Sequence, residues 1–123
     1  MPYIMLLMVL FGGHASAHQF TPTYPELETS YVSGVLKTTM DLFNSRKDVS
    51  YYEIGVFDGE WNRVPFATES RIVKIDYLRR KKIDIFIRES DRAKAVYICS
   101  KSKLLARGSA VTSISSRICS KIK

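Results

Sequence analysis

Charged side chains are absent from the first seventeen residues, and this lack sets them apart from the rest of the chain. They consist of a short apolar run that ends in the small residues Ala15, Ser16 and Ala17. This pattern is typical of a secretory signal peptide cleaved after Ala17, although no Lys or Arg precedes the run. The run is shorter than the roughly 20 residues that span a bilayer. We therefore predict a signal peptide over residues 1–17, a periplasmic or secreted location and no stable membrane span after cleavage. The alternatives are an N-terminal anchor or a buried first strand.

Histidine is scarce, with only His14 and His18 in 123 residues, and His14 would leave with the signal peptide. A Ser-His-Asp or Cys-His catalytic arrangement and a histidine-rich zinc site are therefore not expected. His18 would become the new N-terminus, where an amine and an imidazole could bind copper, but no second histidine remains to complete such a site. We expect an ordinary exposed terminus there. Because the carboxylates are scattered and no glycine-rich phosphate loop occurs, we predict no enzyme activity, no cofactor and no metal site.

Cysteine is also rare, and its two positions, Cys99 and Cys119, suggest a single staple. In an exported chain they allow one internal disulfide, the alternatives being free thiols or an intermolecular bridge. If the two residues oppose each other in an antiparallel hairpin, the turn centres on Ser109, beside Gly108. Directly opposed residues lie within disulfide reach. We predict a cross-strand disulfide between the last two strands, which would contribute roughly 3 kcal/mol through loop closure.

Helical periodicity is poor, and apolar residues instead alternate with polar ones in short runs rich in Val, Ile, Thr, Tyr and Phe. The runs cover residues 35–43, 51–57, 61–67, 71–78, 83–87, 95–101 and 111–122. Asp58-Gly59 is a strong turn signal between two of them. About seven short strands separated by turns are typical of an immunoglobulin-like sandwich. We predict an all-β fold, with residues 18–123 forming a single domain.

Charge is unevenly distributed along the chain, which carries a net charge of +7. Residues 18–70 have a net charge of −4 and residues 71–123 one of +11. A possible anion patch lies in a predicted turn and consists of Arg79, Arg80, Lys81 and Lys82. Such a cluster could contact acidic groups, although a solvated turn is the plainer interpretation. The cluster lacks interleaved aromatic residues, so we predict no nucleic-acid partner.

The segment that begins at Asp91 resembles the periplasmic chaperones of the chaperone–usher pilus pathway. That family carries an Asp-Arg-Glu-Ser stretch before its sixth strand, and the subgroup with a disulfide between the last two strands has a cysteine eight residues after the Asp and Cys-x-Lys in each of these strands. This sequence has Asp91-Arg92, then Cys99-Ser100-Lys101 and Cys119-Ser120-Lys121. The resemblance covers residues 36–121, which correspond to the first, immunoglobulin-like domain of such a chaperone.

The resemblance implies a chaperone that holds an exported, pilin-like subunit by pairing its last strand with the edge of the subunit's sheet. Lys121, with Arg117, would be the anchor for an anionic group, and Val111 and Ile114 would face the partner from that strand. We carry two alternatives, which are a structural component of a surface or secretion assembly and a basic polyanion-binding module.

Overall fold

The computed structural model describes residues 18–103 and 115–123. Within these ranges the chain forms eight β-strands and one 3₁₀ turn, Glu89–Asp91. The predicted all-β class is therefore confirmed for the described residues. The strands are β1 Gln19–Thr21, β2 Glu28–Thr29, β3 Val35–Phe43, β4 Tyr51–Phe57, β5 Ile72–Lys74, β6 Arg80–Arg88, β7 Tyr97–Lys103 and β8 Arg117–Lys121. The predicted signal peptide over residues 1–17 lies outside the described residues.

The strands form two antiparallel sheets of four strands each. In the first sheet, β3 pairs with β6 on one side. On its other side β3 pairs with β2 near its beginning and with β1 near its end. The second sheet has the order β5-β4-β7-β8, so that β8 is an edge strand. Because buried residues of both sheets belong to one hydrophobic cluster, the arrangement is a sandwich.

The core follows from the two-residue alternation in the sequence. Along β3 every second side chain is buried, and along β6 the same holds for Ile83, Ile85 and Ile87. Successive side chains of a strand point to opposite faces, so one parity enters the core and the other meets solvent. From the second sheet, Tyr52 and Ile98 are completely buried against this cluster.

The segment between β1 and β2 crosses from the first sheet to the second. β1 pairs with the end of β3, and the peptide bond between Thr21 and Pro22 that follows is cis. The carbonyl oxygens of Thr23 and Pro25 then accept hydrogen bonds from the main-chain nitrogens of Lys121 and Lys123, each at 3.0 Å. Since both partners advance by two residues in the same direction, this segment runs parallel to the end of β8.

Two of the predicted strands, residues 61–67 and 71–78, form shorter elements than expected. In residues 61–67 only isolated bridges form, from Phe57 to Arg63 and from Ala67 to Phe86. Residues 71–78 contribute the three-residue strand β5, and the chain then turns at Leu78, which has a φ of 58°. Both segments lie at the margins of the sheets, where a strand has a partner on one side at most.

Candidate partner-binding edge

The last hairpin is held by the predicted disulfide. Cys99 of β7 and Cys119 of β8 are directly opposed, with their Cα atoms 4.0 Å apart and their sulfurs bonded. Gly55 of β4 lies opposite Cys99 on the other side of β7. The disulfide therefore fixes the register of β8 against the sheet, as the positions of the two cysteines predicted. Residues 104–114, which include the predicted turn centre as well as Val111 and Ile114, lie outside the described residues.

The main chain of β8 alternates between its neighbour and the outside of the sheet. The carbonyl oxygen of Ser116 accepts a hydrogen bond from Ser102 N at 2.8 Å, and Ile122 N donates to Val96 O at 2.8 Å, so even-numbered residues face β7. Odd-numbered residues face outward, as the bonds of Lys121 and Lys123 to the crossing segment show. The outward groups of the two remaining odd-numbered residues of the strand, Arg117 and Cys119, meet no main-chain partner among the described residues.

The two residues predicted to anchor an anionic group lie on this strand and share its outer face. Lys121 and Arg117 are both exposed, four residues apart. At a strand rise of about 3.3 Å per residue, that places their Cα atoms about 13 Å apart. The guanidinium of Arg117 instead lies 4.7 Å from the ring centre of Trp61. The structure therefore places the pair at opposite ends of β8 rather than on one site.

A group of buried polar side chains, here called the polar cluster, holds the beginning of β8. It consists of His18, Asn44, Tyr52, Ser100 and Ser102, all of which are buried. Its edge meets β8 at Ser116, whose amide donates to Ser102 Oγ at 2.8 Å. The side chain of Ser116 also contacts Arg46 Nη1 and His18 Nδ1, each at 3.3 Å. These contacts hold β8 at its beginning, while the crossing segment holds it at its end.

His18 is not the exposed terminus that the sequence suggested. It is only 2% exposed, its Nε2 lies 2.7 Å from Ser100 Oγ, and its ring centre lies 4.5 Å from that of Tyr52. Burial lowers the pKa of His18, and it raises the pKa of Tyr52 to about 12. The expectation was wrong because a single residue at the start of a strand carries no periodicity that would reveal its burial.

Asn44 is the best-satisfied member of the polar cluster. Its Nδ2 donates to Val49 O at 2.7 Å and to Ile75 O at 2.8 Å. Its Oδ1 accepts from the Tyr52 hydroxyl at 2.5 Å and from Arg46 N at 2.9 Å. All the donors and acceptors of the amide are used, so this side chain joins the loop after β3 to the strands around it.

The possible anion patch is not a turn. β6 begins at Arg80, so Arg80, Lys81 and Lys82 belong to a strand, and only Arg79 precedes it. A strand directs alternate side chains to opposite faces, which separates Lys81 from its two neighbours. Arg80 is also paired with Asp41 at 3.3 Å. The four charges therefore do not form one cluster, contrary to the prediction.

A group of aromatic side chains at the outer face of the second sheet was not predicted from the sequence. Trp61 stacks on Tyr97 with ring centres 4.5 Å apart and planes 9° from parallel, and Phe57 lies 6.2 Å away. Trp61 has a φ of 67°, in the left-handed region that bulky residues seldom adopt. Asp58 and Gly59 correctly signalled the turn, but nothing local indicated that its left-handed position carries the tryptophan.

Comparison of the chain with models of protein families and with curated protein sequences found no match. Within residues 18–103 and 115–123, there is no group of three or more His, Cys, Asp or Glu side chains that could hold a metal ion. A search of the same residues found no helix long and apolar enough to cross a membrane.

Proposed function

We propose that this protein binds a partner polypeptide by strand addition at β8, as an exported domain related to the pilus-assembly chaperones that its sequence resembles. The observation that carries the proposal is the outward edge of β8, where Arg117 and Cys119 direct main-chain groups away from β7 without a partner among the described residues. Such an edge is a template for another strand.

The contacts on both sides of this short edge favour binding. The disulfide and the contacts of Ser116 fix the strand before a partner arrives, which reduces the entropy lost on association. At the other end, Thr23 and Pro25 already pair with the outer side of the strand. β1, which precedes that segment, also lies beside β8 but has no described main-chain hydrogen bond to it. A partner strand would take the place of β1 to pair with Arg117.

The immunoglobulin-like identity of the sandwich and its location outside the cytoplasm belong to this proposal. The disulfide supports an oxidising compartment, because such bonds are rare in the cytosol of most organisms. The spacing of Asp91, Cys99 and Cys119 along the chain supports the resemblance to that family. The partner would be an exported protein with an unpaired strand edge, for which a pilin-like subunit is the first choice.

Hydrogen exchange on the complex with a co-expressed pilin-like subunit tests the proposal directly. The amides of Arg117 and Cys119 should exchange fast in the free protein and slowly in the complex. The amides of Ser102 and Ile122, which donate to main-chain carbonyls within the fold, should be protected in both. If a complex forms and the two outward amides remain fast, strand addition at β8 is wrong.

Proline provides a matched pair of variants. Arg117→Pro removes an outward N–H and leaves the hydrogen bonds to β7 intact, since proline is tolerated at such positions of edge strands. Arg117→Ala removes the same side chain but keeps the N–H. We expect the proline variant to lose subunit binding and the alanine variant to retain most of it. Equal binding by both variants would exclude the main chain of β8 as the contact.

A further inference from the structure

A shallow depression of about 230 Å³ lies on the outer face of the second sheet, away from the outward main-chain groups of β8. Gly55 and Cys99 contribute to its floor, and the lack of a side chain at Gly55 lets the Phe57 ring lie over the main chain there. A Cβ at Gly55 would lie only 2.8 Å from the Phe57 ring. Four basic side chains and one acidic side chain line the depression, namely Arg63, Lys101, Lys103, Arg117 and Glu53.

The charges of this depression are not balanced. Its one carboxylate, Glu53, contacts Lys103 and lies 3.4 Å from Arg63. The hydrogen bond from Lys103 is the main reason that the pKa of Glu53 is lowered, so the carboxylate stays ionised. Lys101 lies directly between Glu53 and Arg117 in the register of the sheet. Neither Lys101 nor Arg117 forms an ion pair with a described residue.

The outer face of the first sheet provides the contrast within the same molecule. There Asp84 lies 3.7 Å from Lys37, and Asp41 lies 3.3 Å from Arg80. Because Lys82 and Arg88 also lie on that face, it is positively charged as well, but it has two carboxylates for its four basic residues. The depression has a single carboxylate among four basic side chains, so its excess of positive charge is larger.

Arg117 is held in place by an aromatic ring. Its guanidinium lies 4.7 Å from the ring centre of Trp61, which stacks on Tyr97. Stacking on a ring restrains the side chain while leaving the in-plane N–H groups of a guanidinium able to donate. An arginine restrained in this way, with no carboxylate beside it, is suited to hydrogen-bonding an oxyanion.

We propose that this depression binds an acidic polysaccharide, with a sulfate or carboxylate group held by Arg117 and Lys101. Its volume is below the ~300–1,000 Å³ of sites that enclose a whole drug-sized ligand, so it fits one part of a polymer. The excess of positive charge in the depression matches the acidic groups of such a polymer. The site uses the side chain of Arg117, whereas strand addition uses its main chain, so neither proposal depends on the other.

Other acidic partners fit less well. Trp61 has Tyr97 stacked on it and Arg117 over its ring, so it offers little of the open surface on which nucleic-acid bases stack. The floor of the depression is formed by β4 and β7, which are paired on both sides, so only Arg117 at its margin has free main-chain groups to offer a peptide. A ring flanked in this way is also poorly placed to insert into a lipid surface.

Calorimetric titration of the purified protein tests the proposal, with heparin as the sulfated probe and polygalacturonate as the carboxylated probe. We expect at least one to bind, with an affinity that falls as salt rises. The variant Lys101→Ala/Arg117→Ala should bind about tenfold more weakly, since two charge-assisted contacts are lost. The matched control Lys81→Ala/Lys82→Ala removes the same charge from β6 and should bind within about twofold of the original protein.

The single tryptophan of the chain reports where the polymer binds. The fluorescence of Trp61 should change on titration with the polysaccharide and stay constant with neutral dextran. Equal losses of affinity in the two double variants would reduce the effect to net charge and overturn the site. Absence of binding to both probes, or equally tight binding of polyglutamate or of anionic phosphatidylglycerol vesicles, would overturn it as well. Circular dichroism checks the fold of each variant, and Arg63→Ala gives a second variant of the same depression.

Discussion

Replacement of Asn44 by aspartate should destabilise this protein strongly, because the change removes two buried hydrogen bonds. Asn44 donates two hydrogen bonds from Nδ2, to Val49 O and Ile75 O, and is completely buried. Aspartate has nearly the same shape and keeps the acceptor used by Tyr52, but an ionised carboxylate has no hydrogen to donate. Two buried carbonyl oxygens would lose their donor and face a negative charge.

The magnitude follows from these two lost bonds. A buried polar group left without its partner costs about 1–3 kcal/mol, so Asn44→Asp should lower the free energy of unfolding by about 2–6 kcal/mol. Domains of this kind are stable by about 5–15 kcal/mol, so the variant would retain only part of its stability. Burial would also raise the pKa of the new carboxyl group. Because the protonated form is then favoured in the folded state, the deficit relative to the original protein should shrink as the pH falls toward 4.

Urea denaturation of both proteins, followed by circular dichroism from pH 4 to pH 8, measures the effect. The control is Asn62→Asp, the same one-atom change at an exposed residue whose Nδ2 donates to Asp58 at 3.2 Å. It should cost about 1 kcal/mol, because solvent replaces the lost bond and screens the repulsion between the new carboxylate and Asp58 at this exposed position. An Asn44→Asp variant within 1 kcal/mol of the original protein at pH 8 would refute the structural role given to the polar cluster.

Three further predictions concern stability. Burial lowers the pKa of His18, so the unfolded chain binds a proton more tightly than the folded protein does. Stability should therefore be full above pH 6.5 and decrease as the pH falls below it. His18→Gln should flatten this dependence in urea titrations at several pH values. Leu78 is exposed at a φ of 58°, so Leu78→Asn should raise the melting temperature by relieving up to about 1 kcal/mol of backbone strain, and an unchanged or lower value would contradict that conformation. Replacing both Cys99 and Cys119 by alanine opens a loop of sequence separation 20 and should lower the free energy of unfolding in urea by about 3 kcal/mol. An unchanged value would show that the disulfide does not restrict the unfolded chain enough to stabilise the fold.

Much of the sandwich could be predicted from residue patterns, because burial on one face of a sheet requires alternation. The bounds of β3 and β4 agree with the runs of alternating residues, and Ile83, Ile85 and Ile87 are buried as expected. The disulfide was also predictable, since two opposed residues in a hairpin have a constant sum of positions. These features depend on local spacing alone, which the sequence contains in full.

The candidate sites could be predicted only in part. Arg117 and Lys121 were expected on the last strand and lie there, but their distance along it and the ring beside Arg117 were not foreseen. The basic residues 79–82 were predicted to lie in one turn, as a solvated tip or a possible anion patch, whereas β6 begins at Arg80. A row of like charges in sequence does not reveal which face each side chain takes until the strand is placed.

The sequence by itself determined the all-β class, the disulfide and the alternating core residues of the strands, because alternation and cysteine spacing are properties of the order of residues along the chain. Tertiary structure alone decided that His18 is buried and that Trp61 meets Arg117. It also decided that the crossing segment pairs with one end of β8, while the rest of that edge has no described main-chain hydrogen bond. Each of these contacts joins residues more than thirty positions apart. Their free energy depends on how the two sheets pack, which no local pattern specifies.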